Sequence, residues 1–593
     1  MKTLIKNGYA KRLTITLICS IALLFPLAPA DLSGESSGLS SAPQETLRLG
    51  ARIYREGILP SGERLKTSIK GAPSVPGTTF ACISCHLRSG IGALDEGVYT
   101  PSINGSKLFR PLPKLYLGVE QKTDSLPPLR PAYTDESLVA AIRNGTDPTG
   151  RILNDIMPRY LLEDRDAKFL IAYLKSLSSQ FSPGVSDTEI RFATVISENI
   201  KPEITEAMLI SFNHYFSTSN AVIKAANNPE EFGPNSRPKR FGPSSRLMMK
   251  SMTGSWGQAA RTMSLARWTL KGPPETWRRQ LEEYNRKEPV FALLGGMVDG
   301  EWRPVHQFCE DNGIPCLFPN TDLPVISDSD WYTLYLSQGY YQEGESAARY
   351  LDSKEGFPPG GRPVVQVVRA SRESEALAAG FQQTWQELGR QALVTVPLPP
   401  GNVMDGDFLR RVIAREKPAA LVIWDDATAL PALELLSRSA GRPEIVILSA
   451  RTIGKSIWTL KESIRDFTYL TYPFAFAPAL FNTAMGQQQK VLDDLQKTLK
   501  QADIPLKDEK QKVVSMTNSL TRLLTFMMMD LKGNYYRDSL LDVMGMMKDQ
   551  PHPLFGRISF GAGRRYASRG CFIVQLSKGD DPELIKKSGW EIH

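Results

Sequence analysis

Cysteine and histidine are scarce in this sequence, with six Cys and five His among 593 residues. One cysteine, Cys19, lies in an N-terminal apolar segment, and the other five are too few for a disulfide-built scaffold. The histidines at 214, 306, 552 and 593 show no metal-ligand spacing. The chain also lacks a Walker loop, an H-E-x-x-H motif and a dinucleotide fingerprint. No motif therefore supports a P-loop nucleotidase, a zinc peptidase or a dinucleotide-dependent enzyme.

A strong excess of charge is missing as well. The formal net charge is +8, but residues 1–30 carry three lysines and one arginine and no acid, so the rest of the chain carries +4. So small a charge on more than 560 residues does not favour nucleic-acid binding.

Residues 1–30 have the pattern of an export signal. A basic start precedes an apolar stretch from Leu13 to Leu27, and Ala28-Pro29-Ala30 follows as a small-residue cleavage site. The alternative is a retained membrane anchor, but a spanning helix needs about 20 apolar residues and this run is shorter and contains Pro26. No other run is long enough to cross a membrane. We expect a periplasmic protein of the Gram-negative type with no transmembrane span after signal removal.

The five residues Cys82-Ile83-Ser84-Cys85-His86 form a C-x-x-C-H motif. Two thiols about one helical turn apart can add to the two vinyl groups of haem, and the adjacent imidazole can reach the iron. A redox dithiol would not need the histidine. A zinc site would need a second ligand pair, and no further Cys or His occurs between residues 31 and 213. The motif predicts one covalent haem c, attached at Cys82 and Cys85, with His86 as an axial ligand.

One methionine stands out as a second axial ligand. Met157 is the sole Met between residues 31 and 180, and Pro158 follows it just before an amphipathic helical segment around Phe169–Leu177. The alternative is an ordinary apolar filler, a common role of methionine.

Residues 40–180 resemble a class I cytochrome c domain, an all-α fold. The resemblance implies that Met157 binds the iron opposite His86 and that the carbonyl of Pro101, in Pro101-Ser102-Ile103-Asn104-Gly105, orients His86. It also implies that the first and last helices meet at Gly50. Ligation by His and Met raises the haem potential and closes the iron to other ligands, which suits electron transfer.

After a polar linker at residues 181–188, apolar runs of strand length alternate with helical segments. The strand predictions are 190–196, 290–295, 364–368, 392–396, 421–424 and 445–448, and the helix predictions include 203–226 and 373–388. Near-continuous apolar strands separated by helices indicate parallel α/β layers. About 400 residues of this pattern predict two lobes.

Residues 189–580 resemble the type I periplasmic solute-binding proteins of the branched-chain amino-acid receptor group. The resemblance rests on a strand ending at Gly296, a "GIP" segment at 313–315, a crossover near 335–350 and a hinge-like segment at 556–561. It implies a ligand in the cleft between lobes, held by Gly296, Met297, Asn320 and Thr321. The group often has Ser or Thr at the position of Met297, which leaves a core role as the alternative.

We therefore expect an all-α cytochrome c domain followed by a two-lobed α/β periplasmic-binding-protein type I module. The first functional hypothesis is a periplasmic electron carrier with a redox partner protein, whose second module docks that partner or senses a small-molecule solute. The second hypothesis is an ABC-transporter-type solute receptor with an ancillary haem. A haem enzyme is a third hypothesis, and two filled axial positions argue against it. The sequence leaves open whether Cys309 and Cys316 form a disulfide.

Overall fold

The computed structural model describes residues 43–592 except 70–74, 96, 113–129, 228–260, 440, 477–508, 562 and 569. Residues 43–180 form a mainly helical part, here called the helical domain. Its helices are α1 Gln44–Glu56, α2 Ile83–His86, α3 Gly105–Leu108, α4 Asp135–Asn144 and α5 Asp164–Ser176. Its strands are β1 Lys66–Ser68, β2 Val75–Pro76, β3 Ala93–Asp95, β4 Val98–Thr100 and β5 Arg159–Leu161. The predicted signal segment lies outside the described residues.

Helices α1 and α5 cross at Gly50, where the absence of a side chain is required. A Cβ on Gly50 would lie 2.1 Å from the carbonyl oxygen of Phe169 and 2.6 Å from the Cβ of Tyr173. One turn further along, the rings of Tyr54 and Tyr173 are 5.4 Å apart. The predicted contact between the two helices is therefore present. Helix α1 ends at Gly57, which has the left-handed φ of 65° typical of a C-cap.

The expectation of an all-α domain is wrong in one respect. Strands β2, β1 and β5 form a small antiparallel sheet, and β3 pairs with β4 in a hairpin. These strands have two or three residues each, too short for a periodicity that the sequence would reveal.

Residues 189–592 form a two-lobed module. The first lobe has one parallel sheet of β6 Glu189–Ser197, β7 Thr262–Leu270, β8 Ala292–Leu294, β9 Cys316–Leu317 and β10 Thr333–Leu334. Its helices are α6 Pro202–Asn227, α7 Trp277–Lys287 and α8 Arg303–Asn312. The strand order is β10-β9-β8-β6-β7.

The chain enters the second lobe through α9 Tyr340–Asp352. The strands there are β11 Val364–Arg369, β12 Leu393–Leu398, β13 Ala420–Trp424, β14 Ile445–Ser449 and β15 Thr468–Tyr472. The helices are α10 Arg372–Glu387, α11 Gly406–Glu416, α12 Leu430–Leu436, α13 Ala450–Ile453 and α14 Glu462–Arg465. Both lobes place their first five strands in the order 2-1-3-4-5, a doubly wound arrangement that favours ligands at the carboxyl ends of the strands. The predicted two-lobed α/β fold is confirmed.

The last part of the chain returns to the first lobe before it completes the second sheet. Helix α15 Glu509–Leu531 packs against α6, and α16 Arg537–Gly545 follows. Strands β16 Gln550–His552 and β17 Gly556–Ile558 form a hairpin. Strand β18 Gly570–Leu576 then pairs antiparallel with β15, β19 Leu584–Lys586 and β20 Glu591–Ile592. None of the helices in the described part of the chain is long and apolar enough to cross a membrane.

The helical domain is joined to the module by buried polar contacts. The backbone N–H of Ser89 donates to Asp542 Oδ2 at 2.7 Å, and Asp542 is 5% exposed. The guanidinium of Arg88 lies 4.8 Å from the ring of Trp331 and 3.4 Å from a carboxylate oxygen of Asp538. The segment predicted as a linker also contacts the module, since the Phe181 ring lies 6.1 Å from that of Tyr535. The two parts therefore share a packed interface.

Asp542 makes this interface sensitive to pH. Burial raises its pKa to about 6, above the usual value of a carboxylic acid, although the Ser89 N–H favours the ionised form. Below about pH 4 Asp542 is protonated in both the folded and the unfolded protein, and the free energy of unfolding is not reduced. As the pH rises to about 6 and above, the free energy of unfolding falls by an amount on the order of 2–3 kcal/mol. We expect Asp542→Asn, which retains an acceptor for Ser89, to be more stable than the wild type at neutral pH and equal to it near pH 4. Denaturant unfolding across this range measures the difference, and a constant difference would contradict the prediction.

Candidate functional site

The C-x-x-C-H motif forms a single helical turn. Cys82 is the N-cap of α2, and the N–H groups of Cys85 and His86 donate to the Cys82 carbonyl at 3.3 and 2.9 Å. The turn ends at Leu87, whose φ is 62°. Both cysteines are half-buried free thiols. One turn of helix thus places two thiols and an imidazole on a short, fixed segment.

A backbone carbonyl orients the imidazole of His86. Its Nδ1 lies 3.0 Å from the carbonyl oxygen of Pro101, and the residue is 8% exposed. A carbonyl oxygen can accept but not donate, so Nδ1 carries the proton and Nε2 keeps its lone pair. Burial lowers the pKa of His86, although the Pro101 carbonyl opposes this, which also favours the neutral imidazole needed by a metal ligand.

Met157 lies on a loop that is tied down by one arginine. Its N–H donates to Asn154 O at 3.1 Å, and the Arg159 guanidinium donates to the carbonyls of Met157 and Leu153, the latter at 3.0 Å. Pro158 follows and is buried. Met157 therefore sits in a fixed loop just before β5.

One cavity of about 1060 Å³ brings these predicted residues together. Cys82, Cys85, His86, Pro101 and Met157 all line it, as the sequence predicts for one site. Much of the remaining wall is apolar and comes from α3, α4 and α5: Leu108, Leu138, Ala141, Ile142, Leu170 and Leu174. The cavity is as large as the pockets that enclose whole cofactors.

The thiols in this cavity do not have the properties of a redox pair. Burial raises the pKa of Cys82 to about 12 and also raises that of Cys85. Reactive C-x-x-C pairs have a lowered pKa, because the thiolate is the attacking species. The environment of the motif therefore argues against a dithiol oxidoreductase.

The charged residues around the cavity are all basic in the described part of its wall. They are Lys107, Arg110, Arg130, Arg151, Arg261 and Lys532. Arg151 is paired with Asp147 at 3.0 Å, and Arg130 donates to the carbonyls of Lys107 and Leu108. No acidic side chain lines the described part of the wall, so its charge is positive, which suits a bound group that carries carboxylates.

The first predicted cleft loop follows strand β8. Gly296 has a φ of 96°, and a Cβ there would lie 2.7 Å from Val195 O, so the position requires glycine. The N–H of Met297 donates to Val195 O at 2.8 Å, and its carbonyl accepts from Ser197 at 3.0 Å. The Met297 side chain is 5% exposed and belongs to the core. Its backbone groups extend the sheet, and a role in ligand binding stays a prediction.

The second predicted loop lies beside the first. The N–H of Asn320 donates to Gly296 O at 2.9 Å, and Thr321 Oγ1 accepts from Leu323 N at 3.0 Å. The side-chain oxygen of Asn320 is buried without a partner among the described residues. An unpaired buried acceptor is costly, so this oxygen is the atom of the loop best suited to receive a donor from a ligand.

Sequence reasoning missed the residues at the corresponding edge of the second sheet. Arg369 ends β11 and Asp425 follows β13, so both lie at the point where the strand order reverses. Arg369 Nη2 lies 3.0 Å from Asp425 Oδ2, and the Asp425 side chain is fully buried. The signal in the sequence was a charge placed immediately after a buried apolar strand.

A second missed cluster connects the two lobes. Arg451, at the start of α13, pairs with Asp322 of the first lobe at 2.6 Å and with Glu343 of α9 at 3.1 Å. Lys512 of α15 also pairs with Asp322 at 2.7 Å. Burial opposes ionisation of Asp322, but the two cations outweigh it and hold the pKa of Asp322 below its usual value. This cluster ties both lobes to α15.

The remaining cysteines and acids offer no further metal site in the described residues. Cys309 and Cys316 are both fully buried free thiols, so the disulfide left open by the sequence is not formed here. No group of three or more His, Cys, Asp or Glu side chains in the described ranges is arranged to hold a metal ion.

Each lobe is a doubly wound sheet, an architecture that favours ligand binding at the carboxyl ends of its strands. The family described as "Periplasmic binding protein" matches residues 270–581, more than half of the chain. The chain therefore belongs to this family, which implies a periplasmic or extracellular location. The match lies within the two-lobed module, and strand β6 extends the same sheet back to Glu189.

Several solved structures of substrate-binding and ligand-binding proteins align with about two thirds of the chain. A fatty acid ABC transporter substrate-binding protein from Thermomonospora curvata is 13% identical, with 70% of this chain and 95% of that chain covered and a TM-score of 0.41. An extracellular ligand-binding receptor from Rhodopseudomonas palustris HaA2 is 11% identical, with 67% and 100% covered and a TM-score of 0.41. A solute binding protein from R. palustris in complex with benzoate is 13% identical, with 67% and 96% covered and a TM-score of 0.40. No curated protein matches the chain.

Proposed function

We propose that this protein is a periplasmic electron carrier with one covalent haem c, whose binding-protein module docks a redox partner protein or senses a small-molecule solute. The observation that carries the proposal is the shared cavity. Two thiols one helical turn apart, an oriented imidazole and a thioether line the same space of about 1060 Å³.

The residues that line the cavity include the donor types that a haem c requires. Cys82 and Cys85 would hold it covalently, and His86 Nε2 and the Met157 thioether would supply the two axial ligands. The apolar walls from α3, α4 and α5 fit the macrocycle, and the basic residues at the cavity fit its two carboxylates. When bound, the group supplies reversible one-electron chemistry. The protein keeps His86 neutral and holds it through Pro101, and it fixes Met157 through Arg159.

The axial role of Met157 has a spectroscopic test. We expect Met157→Ala to lose the weak long-wavelength absorption band that a thioether–iron bond gives in the oxidised holo-protein. The reduced variant should also bind carbon monoxide readily, because one axial position is then open. Absorption spectra of the purified full-length protein measure both effects.

Met529 provides the matched control, because it lines the same cavity from the opposite module and is half-buried like Met157. Met529→Ala should keep the band and stay unreactive to carbon monoxide. If Met529→Ala loses the band and Met157→Ala retains it, the assignment of the axial ligand is wrong.

The second candidate function is an ABC-transporter-type solute receptor with an ancillary haem. Family membership favours it, because the matched residues 270–581 include strands β8–β10 of the first lobe and β11–β15 of the second. The two functions are separated by redox titration of the full-length holo-protein with amino acids, aliphatic and aromatic acids, amides and alcohols. Tight binding of one of these probes with no change in potential supports the receptor, whereas no binding of any of them supports a docking role for the module.

A further inference from the structure

The wall of the cofactor cavity is not built by the helical domain alone. On one side it consists of residues from the end of α15 and the turn that follows: Met528, Met529, Lys532, Gly533, Asn534, Tyr535 and Tyr536. Arg261, next to the first residue of β7, lines the cavity as well. All of them belong to the two-lobed module, and the most distant in sequence, Tyr536, is 454 positions from Cys82.

The turn after α15 packs against the linker segment that follows the helical domain. Tyr535 and Tyr536 are 7% and 9% exposed, and the ring of Phe181 lies 6.1 and 5.9 Å from theirs. The Tyr535 carbonyl accepts from Ser182 N at 3.3 Å. Ser106 of α3 lies near the Tyr536 hydroxyl and favours its ionised form, although burial raises the pKa of Tyr536. The contacts of Tyr535 and Tyr536 therefore fix the position of this wall.

The same turn is anchored to the first lobe on its other side. The Arg537 guanidinium donates to the carbonyls of Val290, Phe291 and Asn312 at 2.5, 3.2 and 3.2 Å. Arg261 is 6% exposed, and its guanidinium stacks 4.6 Å from the ring of Phe181. The wall is thus a continuation of the first lobe rather than a loose segment.

Lys532 is the cation that the end of α15 brings to this wall, and it interacts electrostatically with Asp530 two residues earlier. It is exposed, has a left-handed φ of 47° and lies in the turn directly after α15. No acidic residue lines the cavity in the part of the wall that the structure describes. Lys532 therefore adds to the positive potential that Lys107, Arg110 and Arg130 create from the helical domain.

We propose that the binding-protein module is part of the haem site, and that Lys532 is a positioning residue that balances a haem carboxylate and sets the haem potential. This inference rests on the proposed function. The oxidised haem carries one positive charge more than the reduced haem. A nearby cation therefore favours the reduced form, and its removal lowers the midpoint potential.

The test is the midpoint potential of the purified full-length holo-protein, measured by spectroelectrochemistry. We expect Lys532→Glu to lower the midpoint potential by up to about 59 mV, which corresponds to a tenfold change in the equilibrium constant of a one-electron reduction. Lys532→Asn, which tolerates the left-handed turn, should give a smaller shift of the same sign, and Lys532→Arg should restore the wild-type value. Added salt should reduce these differences.

Lys510 provides the matched control, since it is exposed and lies at the start of the same helix. It is about 30 Å from Lys532 along the helix axis, beyond a Debye length of about 10 Å, so Lys510→Glu should leave the potential unchanged. Equal potentials for the wild type, Lys532→Glu and Lys532→Asn would overturn the inference while the haem, and the proposed function, stand. A wild-type protein without covalent haem would overturn the proposed function and the inference with it.

Discussion

We expect the double variant Cys82→Ala, Cys85→Ala to lose all covalently bound haem. The two thiols lie in one helical turn at the wall of the cavity, and the described part of the helical domain has no other cysteine. Each thiol supplies one thioether link, so removal of both leaves only coordination and packing to retain the group. Haem-specific staining of denatured protein, from cells with a cytochrome c maturation system, measures the loss against immunodetected protein.

The control is Cys571→Ala, which removes a thiol from the fully buried core of the second lobe. It should retain wild-type staining, although it changes packing. Single replacements of Cys82 or Cys85 should reduce the stain without removing it. Undiminished staining of the double variant, or no staining of the wild type, would contradict covalent attachment at this motif.

Loss of the Arg451 side chain should destabilise the protein by roughly 3–5 kcal/mol, the usual cost of leaving a buried charge without its partner. The Arg451 side chain is 4% exposed and lies between Asp322 and Glu343, and the Glu343 side chain is fully buried. Burial already raises the pKa of Glu343 to about 6, although Arg451 favours its ionised form. Denaturant unfolding of Arg451→Met near neutral pH measures the loss.

A double variant separates the loss of the ion pair from the loss of packing. Glu343→Gln removes the charge that Arg451→Met leaves behind, while the amide can still accept from Ser449 and Thr471, whose hydroxyls contact Glu343 at 2.8 and 2.6 Å. The double variant should therefore be more stable than Arg451→Met alone. Asp322 remains paired with Lys512 in both. If the free energy of unfolding of Arg451→Met lies within about 0.5 kcal/mol of the wild-type value, the prediction is wrong.

Strands with continuous apolar runs were predictable because both faces are buried. The observed strands Val364–Arg369, Ala420–Trp424 and Ile445–Ser449 lie within one residue of the predicted ranges. The strand Thr262–Leu270 was missed because it lies at the edge of its sheet, where only part of its residues are buried and charged residues such as Arg267 are tolerated. Burial on both faces leaves a stronger pattern than burial on one.

The candidate site was predictable where its chemistry is local. The five-residue motif and its helical turn depend on neighbours in sequence, and the contact of His86 with Pro101 spans only 15 positions. The cleft loops at Gly296 and Asn320 were implied by the family resemblance, and their role in ligand binding stays a prediction. The pairs that join distant segments, such as Ser89 with Asp542 across 453 positions, had no local signal.

By itself the sequence determined the spacing of the thiols and imidazole and the alternation of strands and helices. Both follow from backbone periodicity, whereas the close approach of helices at Gly50 was implied by the family resemblance. Only the tertiary structure decided that Cys82, Cys85 and His86 line a cavity whose wall is completed by the two-lobed module. It also decided that Asp322, Glu343 and Arg451 meet between the lobes. The physical reason is that such contacts arise only when separately formed elements pack, and their partners are chosen by shape and charge rather than by distance along the chain.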